Sequence, residues 1–143
     1  MEMIWKLRPQ IDQLNKSGES RMPGHLGIEF LEVGEDFLIA KMPVDQRTQQ
    51  PFGLLHGGAS VALAETLGSL ASFYSIEPDS GKMPVGVEIN ANHLSSARNG
   101  YVFGKVEPIK VGRNMHVWQI RITDEKNKLI CVSRLTVAIV DIR

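Results

Sequence analysis

The chain has 143 residues, and its 16 basic and 16 acidic side chains leave no net charge when histidine is neutral. This length suits one hydrophobic core, so we predict a single domain over residues 1–143. Balanced charge provides no overall positive field for nucleic acid or an anionic membrane, and neither is expected as a partner, although a local basic patch can still bind phosphate. The single cysteine, Cys131, excludes an intrachain disulfide framework and fits a reducing compartment.

The N-terminal residues Met1–Pro9 interleave charged and apolar side chains. They lack the continuous apolar region of a secretory signal peptide, so we expect a cytoplasmic protein. The following segment, Gln10–Lys16, carries Ile11 and Leu14 at helical spacing. This pattern predicts a short helix that ends near Gly18.

Two strands are predicted next. Ile28–Val33 and Phe37–Met42 are rich in apolar and β-branched residues, and the turn Gly34–Asp36 separates them. We therefore expect a hairpin. The loop Val44–Phe52 then leads into the central part of the chain, and it places polar side chains just before the next helix.

A long helix is predicted from about Gly57 to Ile76, roughly 30 Å at ~1.5 Å per residue. Glu65 is the only formally charged residue between His56 and Ile76. A helix that is apolar nearly all round is buried in a core or a membrane, and Glu65 at its middle makes crossing a bilayer unfavourable. An ionised carboxylate is almost never fully buried without a partner, so Glu65 needs either a structural partner or a chemical role.

The two faces of this helix differ in side-chain size. Residues three, four or seven positions from Glu65 share its face and are small or polar, whereas the opposite face is bulky. We expect the bulky face to enter the core and the small face to leave a groove for a ligand. The small face comprises Gly58, Val61, Gly68, Ser69 and Ser72, and the bulky face Leu63, Leu67, Leu70 and Tyr74.

Everything beyond the turn Glu77–Gly81 has strand character. From Val85 to His93 apolar residues alternate with polar ones, which predicts one apolar face formed by Val85, Val87, Ile89, Ala91 and His93. Further strands are predicted near Tyr101–Glu107, Met115–Thr123 and Leu129–Val140, with loops at Pro108–Asn114 and Asp124–Lys128.

The predicted order is a helix, two strands, one long helix and four strands. Since strands and helices do not alternate, an antiparallel sheet covering one helix is favoured over a doubly wound parallel sheet, and the fold class is α+β. Such a sheet leaves a face or an edge without cover. We therefore expect a homo-oligomer.

Several kinds of site are absent from the sequence. It has no Gly-rich phosphate loop, no dinucleotide fingerprint and no nucleophilic-serine elbow. The four histidines and Cys131 have no metal-ligand spacing, so no metal is expected. Ser69 lies one helical turn after Glu65, but no histidine at short spacing completes a triad, which makes it a weak nucleophile.

The remaining candidate is the helix carrying Glu65. Backbone N–H groups at its start, around Gly57, suit an anion such as the oxyanion formed when a carbonyl is attacked. Glu65 lies about two turns further along and suits a general base on water or a covalent nucleophile. This combination indicates acyl transfer to water.

Each candidate residue also has a purely structural interpretation, which the sequence leaves open. Glu65 can be paired inside an oligomer interface. Gln50 can bond the backbone of its own loop. His56 can pack at the helix start, His93 can be a half-buried strand residue, and Arg98 and Arg113 can be solvated loop charges or partners of a nucleotide phosphate.

Two segments resemble the hot-dog-fold acyl-CoA thioesterases of the PaaI type. They are Pro51-Phe52-Gly53-Leu54-Leu55-His56-Gly57-Gly58, followed nine residues after His56 by Glu65, and Glu88-Ile89-Asn90-Ala91-Asn92-His93. Within that family the chain is most similar to the bacterial 1,4-dihydroxy-2-naphthoyl-CoA hydrolases of menaquinone biosynthesis. The resemblance runs from about Ile4 to Val137 and implies a hot-dog sheet around one helix, paired into dimers and dimers of dimers with sites between subunits.

The resemblance also implies roles for individual residues. Glu65 is expected as nucleophile or general base, and the Gly57 N–H as the donor that polarises the thioester carbonyl. Gln50 and His56 are expected to orient the thioester or water, with Ser69 and His93 near the acyl group. Contacts to coenzyme A, which is part of the substrate and not a separate cofactor, are expected from Gly86, His93, Leu94, Ser95, Ser96, Lys110, Val111, Gly112, Arg113, Asn114 and Met115.

Three functions compete at this point. The first is hydrolysis of an aromatic acyl-CoA, most specifically 1,4-dihydroxy-2-naphthoyl-CoA, or broad-range hydrolysis of acyl thioesters on CoA or a carrier protein in a proofreading or phenylacetate-type role. The second is dehydration of 3-hydroxyacyl thioesters, and the third is acyl-CoA binding without chemistry. The acyl group, the carrier, the covalent or general-base route and the choice between dimer and tetramer stay open.

Overall fold

The computed structural model describes residues 3–143, so the first two residues of the predicted domain lie outside it. None of the helices in that part of the chain combines the length and hydropathy needed to cross a bilayer. The elements in chain order are α1 (Ile11–Ser17), α2 (Met22–His25), β1 (Glu29–Val33), β2 (Leu38–Pro43), α3 (Gly57–Tyr74), β3 (Lys82–His93), β4 (Tyr101–Val111), β5 (Met115–Thr123) and β6 (Leu129–Asp141).

The six strands form one antiparallel sheet in the order β1-β2-β4-β5-β6-β3. Helix α3 packs across one face of this sheet and contacts β2, β3, β4, β5 and β6. Its fully buried Leu63 and Leu67 meet Trp118, Ile120 and Leu135 in the same hydrophobic core. The predicted architecture, an antiparallel sheet wrapped around one long helix, is confirmed.

Helix α3 begins where the sequence predicts. His56 has extended backbone angles, and its Nδ1 accepts a hydrogen bond of 2.8 Å from the Gly58 N–H, so the imidazole takes the place of an ordinary N-cap oxygen. The helix ends at Tyr74, two residues before the predicted end. Ser75 ends it with a tighter turn, because its N–H bonds to the Ser72 carbonyl.

The predicted division of α3 into a core face and a groove face is wrong at three positions. Gly68 and Ser72 are buried, and Leu70 is only half-buried. A Cβ on Gly68 would lie 2.4 Å from Leu135 Cδ2, so that glycine lets the helix approach β6 closely. Because the helix is apolar nearly all round, its periodicity could not determine which side faces the sheet.

The predicted apolar face of β3 is interrupted by a bulge between Gly86 and Glu88. Ile89 and Ala91 pack towards the core as predicted, whereas Val85 and Val87 are 39% and 58% exposed. The extra residue reverses the alternation, so Gly86 faces α3 in their place. Strand β3 is one edge of the sheet, and it presents this altered face beside the helix.

Two other local differences separate the structure from the sequence prediction. The one-turn helix α2 was not predicted, since four residues give no periodicity to detect. Strand β4 continues to Val111 and takes up much of the predicted loop Pro108–Asn114. A bulge between Pro108 and Lys110 accommodates the proline, which lacks the N–H of a regular ladder.

Candidate active site

A cavity of about 400 Å³ opens at the start of α3, and we call it the helix-start cavity. It brings together the predicted residues Gln50, Gly57 and His93–Ser96, with Ser60 from the first turn of the helix. The backbone N–H groups at this helix end have no partner within the helix and carry its positive dipole end. The remaining lining residues are Leu54, Leu55 and Ile130.

The His93 ring lies directly against Gly57. A Cβ built on Gly57 would be 2.8 Å from His93 Nε2 and 3.1 Å from Cε1, closer than real side chains approach. Only glycine therefore permits this contact without a shift. The structure therefore places Gly57, the predicted donor to the thioester carbonyl, beside His93, a predicted contact of the substrate.

Gln50 and His56 are both held by backbone N–H groups. Gln50 Oε1 accepts from Phe52 N at 2.5 Å and from Leu54 N at 3.4 Å, which leaves the Nε2 amide group as its donor. His56 Nδ1 accepts from Gly58 N, so the neutral ring carries its proton on Nε2. The loop-bonding interpretation of Gln50 is correct for its oxygen. His56 caps the helix and does not line the helix-start cavity.

Glu65 lies in a different depression, a groove of about 510 Å³ that we call the Glu65 groove. It is half-buried, and within residues 3–143 its carboxylate has no hydrogen bond or ion pair. A Cβ on Gly86 would lie 2.7 Å from Glu65 Oε2, so the carboxylate rests against bare backbone. The predicted residue Ser69 lines the same groove, together with Ala62, Thr66 and Leu70.

The opposite wall of the Glu65 groove was missed by sequence reasoning. Arg21, Met22 and Pro23, with Ser17 and Gly18, close the groove from the α1–α2 connection. The connection is tightly folded, because Gly18 O accepts from both Arg21 N and Gly24 N at 3.0 and 2.9 Å. The only sequence signal was Pro23, a residue type favoured in the first turn of a helix.

One chain does not bring all the predicted groups to one point. Gly57 and Glu65 are eight residues apart on α3, which is ~12 Å along the axis. Gly86 and His93 are seven residues apart on β3, or ~23 Å. The predicted contacts Lys110–Met115 lie at the Gly86 end, since Val111 pairs with His116, His116 with Val137 and Val137 with Gly86.

A buried polar network joins α3 to that same end of the sheet. Ser72 Oγ accepts from Trp118 Nε1 at 2.7 Å and lies 2.9 Å from His116 Nδ1. The His116 ring also hydrogen-bonds to the Gly112 backbone, which takes the proton of a neutral ring and leaves Nδ1 to accept from the Ser72 hydroxyl. Burial lowers the pKa of His116, partly offset by a hydrogen bond to the Gly112 backbone, so the ring is neutral at pH 7.

The described residues give little support to a metal site or to a cysteine nucleophile. Among residues 3–143 no group of three His, Cys, Asp or Glu side chains is arranged to hold a metal ion. Cys131 is buried in β6, and burial raises the pKa of its thiol. A buried thiol of raised pKa is a poor nucleophile.

The family model of the thioesterase superfamily matches residues 52–131, the stretch that holds Gly57, Glu65, Gly86 and His93. The chain belongs to the thioesterase superfamily. It is a thioester hydrolase with a hot-dog fold, which favours hydrolysis over dehydration and over acyl-CoA binding without chemistry.

Curated relatives extend over nearly the whole thioesterase. It is 54% identical over 137 residues to the 1,4-dihydroxy-2-naphthoyl-CoA hydrolase of Escherichia coli, covering 96% of this chain and 99% of the relative. It is 47% identical to the proofreading thioesterase EntH of Cronobacter turicensis, covering 96% and 98%. These two names concern different thioesterases, so family membership leaves the substrate to be proposed.

Solved structures match the fold closely. A thioesterase from Haemophilus influenzae superposes with a TM-score of 0.93 at 52% identity, covering 97% of this chain and 96% of that one. A thioesterase variant from Pseudomonas aeruginosa superposes with a TM-score of 0.94 at 46% identity, covering 97% and 99%. The arrangement of helix and sheet described above is therefore that of solved thioesterases.

Proposed function

We propose that the thioesterase hydrolyses an aromatic acyl-CoA, with 1,4-dihydroxy-2-naphthoyl-CoA as its first candidate substrate. The observation that carries this proposal is the Glu65 carboxylate, which has no partner within residues 3–143, on a helix whose start presents the Gly57 N–H. Identity of 54% to a hydrolase of that name supports the substrate. The pathway implied is menaquinone biosynthesis.

The residues act on the thioester as follows. The carbonyl oxygen accepts from the Gly57 N–H, which stabilises the negative charge that develops on it. Glu65 either removes a proton from an attacking water or itself attacks the carbonyl carbon, forming an anhydride that water then cleaves. In both routes the carbon–sulfur bond breaks, and the products are a carboxylic acid and a free thiol. Gln50 Nε2 donates to the thioester or the water and orients it, whereas His56 assists by capping the helix that presents the Gly57 N–H.

The complete site is proposed to need two copies of the chain. Gly57 and Glu65 lie too far apart within one chain to reach one carbonyl. An antiparallel partner related by a two-fold axis exchanges the two ends of the site, so the Glu65 end of one copy meets the Gly57 end of the other. The same operation brings Lys110–Met115 of one copy towards His93–Ser96 of the other, and gathers the proposed coenzyme A contacts at one place. We place Ser69 beside the acyl group.

A second candidate is a broad-range or proofreading thioesterase. The names of the relatives from Cronobacter, at 47% identity, support this alternative. The half-exposed Glu65 groove, with Leu70 and Met22 on its walls, accepts an aromatic ring without demanding one particular substituent. Ranking kcat/KM across naphthoyl, benzoyl, phenylacetyl and straight-chain CoA thioesters separates a specific enzyme from a broad one.

Glu65→Gln tests the chemistry. The amide can neither attack the carbonyl carbon nor remove a proton from water, so turnover falls on the order of 10²-fold or more. Release of free thiol is followed with a thiol reagent on each CoA thioester. The matched control is Glu32→Gln, an exposed carboxylate on β1, which should keep wild-type rates. Turnover of Glu65→Gln within a few-fold of wild type would overturn the proposed role.

Pairing two inactive variants tests the shared site. Glu65→Gln and Gln50→Ala are co-expressed with different affinity tags, and the mixture is compared with each variant alone. If each site takes Gln50 from one copy and Glu65 from the other, mixed dimers keep one intact site, and random pairing restores about a quarter of wild-type activity. No recovery above the separate variants, with mixed dimers present, contradicts a shared site.

A further inference from the structure

The first turn of α3 carries a buried hydroxyl group to which the chain gives no partner. Ser60 is 1% exposed, and within residues 3–143 its Oγ forms no hydrogen bond. Ser75, at the other end of the same helix, shows the usual arrangement, since its buried hydroxyl donates to the Ala71 carbonyl at 2.8 Å. A buried hydroxyl without a hydrogen bond destabilises a protein. Ser60 therefore needs a partner from outside the chain.

The Ser60 hydroxyl opens into the helix-start cavity. Among residues 3–143, Ser133 Oγ is the only buried side-chain polar atom that is closed off from both solvent and hydrogen-bond partners. Ser60 Oγ has no partner either, so it must have access to solvent. That access is the helix-start cavity, which Ser60 lines together with Gly57 and His93. The hydroxyl thus faces the space in which the thioester carbonyl is proposed to lie.

Ser60 and Gly57 lie on the same face of α3. They are three residues apart, which is ~4.5 Å along the axis, and side chains at this spacing are neighbours. The Cα–Cβ bonds of a helix tilt towards its N-terminus, so the Ser60 side chain leans back towards Gly57. Glu65 lies five residues further along, on another face and in a separate groove. The Ser60 hydroxyl is therefore associated with the helix start and not with the acid.

The other N–H groups of this first turn are used within the chain. Gly58 N donates to His56 Nδ1 at 2.8 Å, and Ala59 N and Ser60 N donate to the His56 carbonyl at 3.0 and 3.3 Å. The Gly57 N–H, at the first helical position, has no partner in the described part of the chain. The helix start thus offers two free donors side by side, the Gly57 N–H and the Ser60 hydroxyl.

We propose that Ser60 Oγ is a second hydrogen-bond donor to the thioester carbonyl oxygen, beside the Gly57 N–H. This inference rests on the proposed function. When water or Glu65 attacks the carbonyl carbon, the π electron pair moves onto the oxygen, and donors held in place stabilise the negative charge. Ser60 keeps its proton throughout. The electron pair then returns to re-form the carbonyl, and the carbon–sulfur bond breaks with its electrons leaving on sulfur.

Ser60→Ala tests this role through opposite effects on rate and stability. It removes a donor to the transition state, so we expect kcat for benzoyl-CoA to fall about 10²-fold while KM stays within about twofold. It also removes a buried hydroxyl that has no partner in the free enzyme, so the melting temperature should equal or exceed that of wild type. The matched control is Ser75→Ala, which removes a bonded hydroxyl and should lower the melting temperature while kcat stays within about twofold.

The infrared band of the bound carbonyl gives an independent readout. Benzoyl-CoA with an isotopic label on its thioester carbonyl is bound to Glu65→Gln, whose slow turnover allows a difference spectrum to be recorded. A hydrogen bond to a carbonyl oxygen lowers its stretching frequency. Adding Ser60→Ala to this variant should therefore shift the band to higher frequency, whereas adding Ser75→Ala should leave it in place.

Three results would overturn the proposal. The first is wild-type kcat in Ser60→Ala, and the second is a raised KM at unchanged kcat, because the hydroxyl would then contact another part of the substrate. The third is a carbonyl band that does not shift. If Ser60→Ala melts well below wild type, Ser60→Cys decides, since a thiol fills the same space but is a weak donor. Reduced kcat with wild-type melting in Ser60→Cys supports the proposal, and wild-type kcat overturns it.

Failure of this inference is distinguishable from failure of the proposed function. If Glu65→Gln keeps its turnover, the proposed function is wrong whatever Ser60→Ala does. If Glu65→Gln is inactive while Ser60→Ala is fully active, the proposed function stands and only the role of Ser60 is wrong.

Discussion

Gly86→Ala tests the contact on which the position of Glu65 depends. The new Cβ would lie 2.7 Å from Glu65 Oε2 and 3.8 Å from Leu135 Cδ1. The first distance is too short, and the atom that can yield is the carboxylate at the end of a flexible side chain. The φ of Gly86 is not in the left-handed region, so alanine fits the backbone.

The expected loss of activity follows from how far the Glu65 carboxylate must move. An ordinary contact is about 3.4 Å or more, so the carboxylate oxygen has to move by roughly 0.7 Å. Reacting atoms must lie about 3–3.5 Å apart, and a misplacement near 1 Å costs up to about 10²-fold. We therefore expect kcat to fall about 10- to 100-fold. Stability should hold or rise slightly, because alanine in a strand loses less chain entropy on folding than glycine.

The assay is steady-state thiol release from an aryl-CoA, with thermal melting in parallel. Val87→Ala, a change at the adjacent bulge position, is the control and should keep kcat within twofold. If Gly86 instead contacts coenzyme A directly, KM rises and kcat stays constant. An unchanged kcat in Gly86→Ala would show that the carboxylate position seen here is not the reactive one.

Three further changes test the packing around the site. Ser72→Ala leaves Trp118 Nε1 and His116 Nδ1 without a partner, and we expect a loss of about 1–3 kcal/mol in the free energy of unfolding, measured by urea titration. An unchanged free energy would contradict a stabilising role for this network. Folding lowers the pKa of His116, so as pH falls below about 6.5 the unfolded chain binds a proton that the folded chain does not. The free energy of unfolding should therefore decline from pH 7.5 to 5.5. His116→Gln should flatten that decline. Gly24→Ala puts a Cβ 2.4 Å from Gly18 O, and we expect the free energy of unfolding to fall by about 1–3 kcal/mol. The preference for acyl groups should also change, since the wall of the Glu65 groove must move. A melting temperature equal to that of wild type would contradict this.

The site residues divide into those the sequence placed together and those it did not. Gln50, Gly57 and His93 were predicted as one site and share the helix-start cavity. Glu65 was predicted with them, yet it lines a separate groove in the same chain. A spacing of eight residues on a helix fixes the axial distance between Gly57 and Glu65. It does not reveal whether a second copy of the chain brings the two residues to one site.

The neighbours of Arg98 show the same limit more clearly. Arg98 was recognised in the sequence as a possible phosphate partner, whereas Lys126 and Lys128 were only part of a predicted loop. They meet because β5 and β6 return the chain to the segment after β3. Such a meeting depends on strand register, and no local pattern encodes it.

By itself the sequence determined the order of the six strands around the long helix, the start of α3 and the single acid within it, because apolar periodicity and a lone charge are local properties of the chain. Tertiary structure alone decided which side of α3 meets the sheet, since a helix apolar nearly all round has no preferred face until it packs. It also decided that Gly86, and not Val85 or Val87, lies against Glu65, because one extra residue in β3 reverses every side chain on the near side of the bulge.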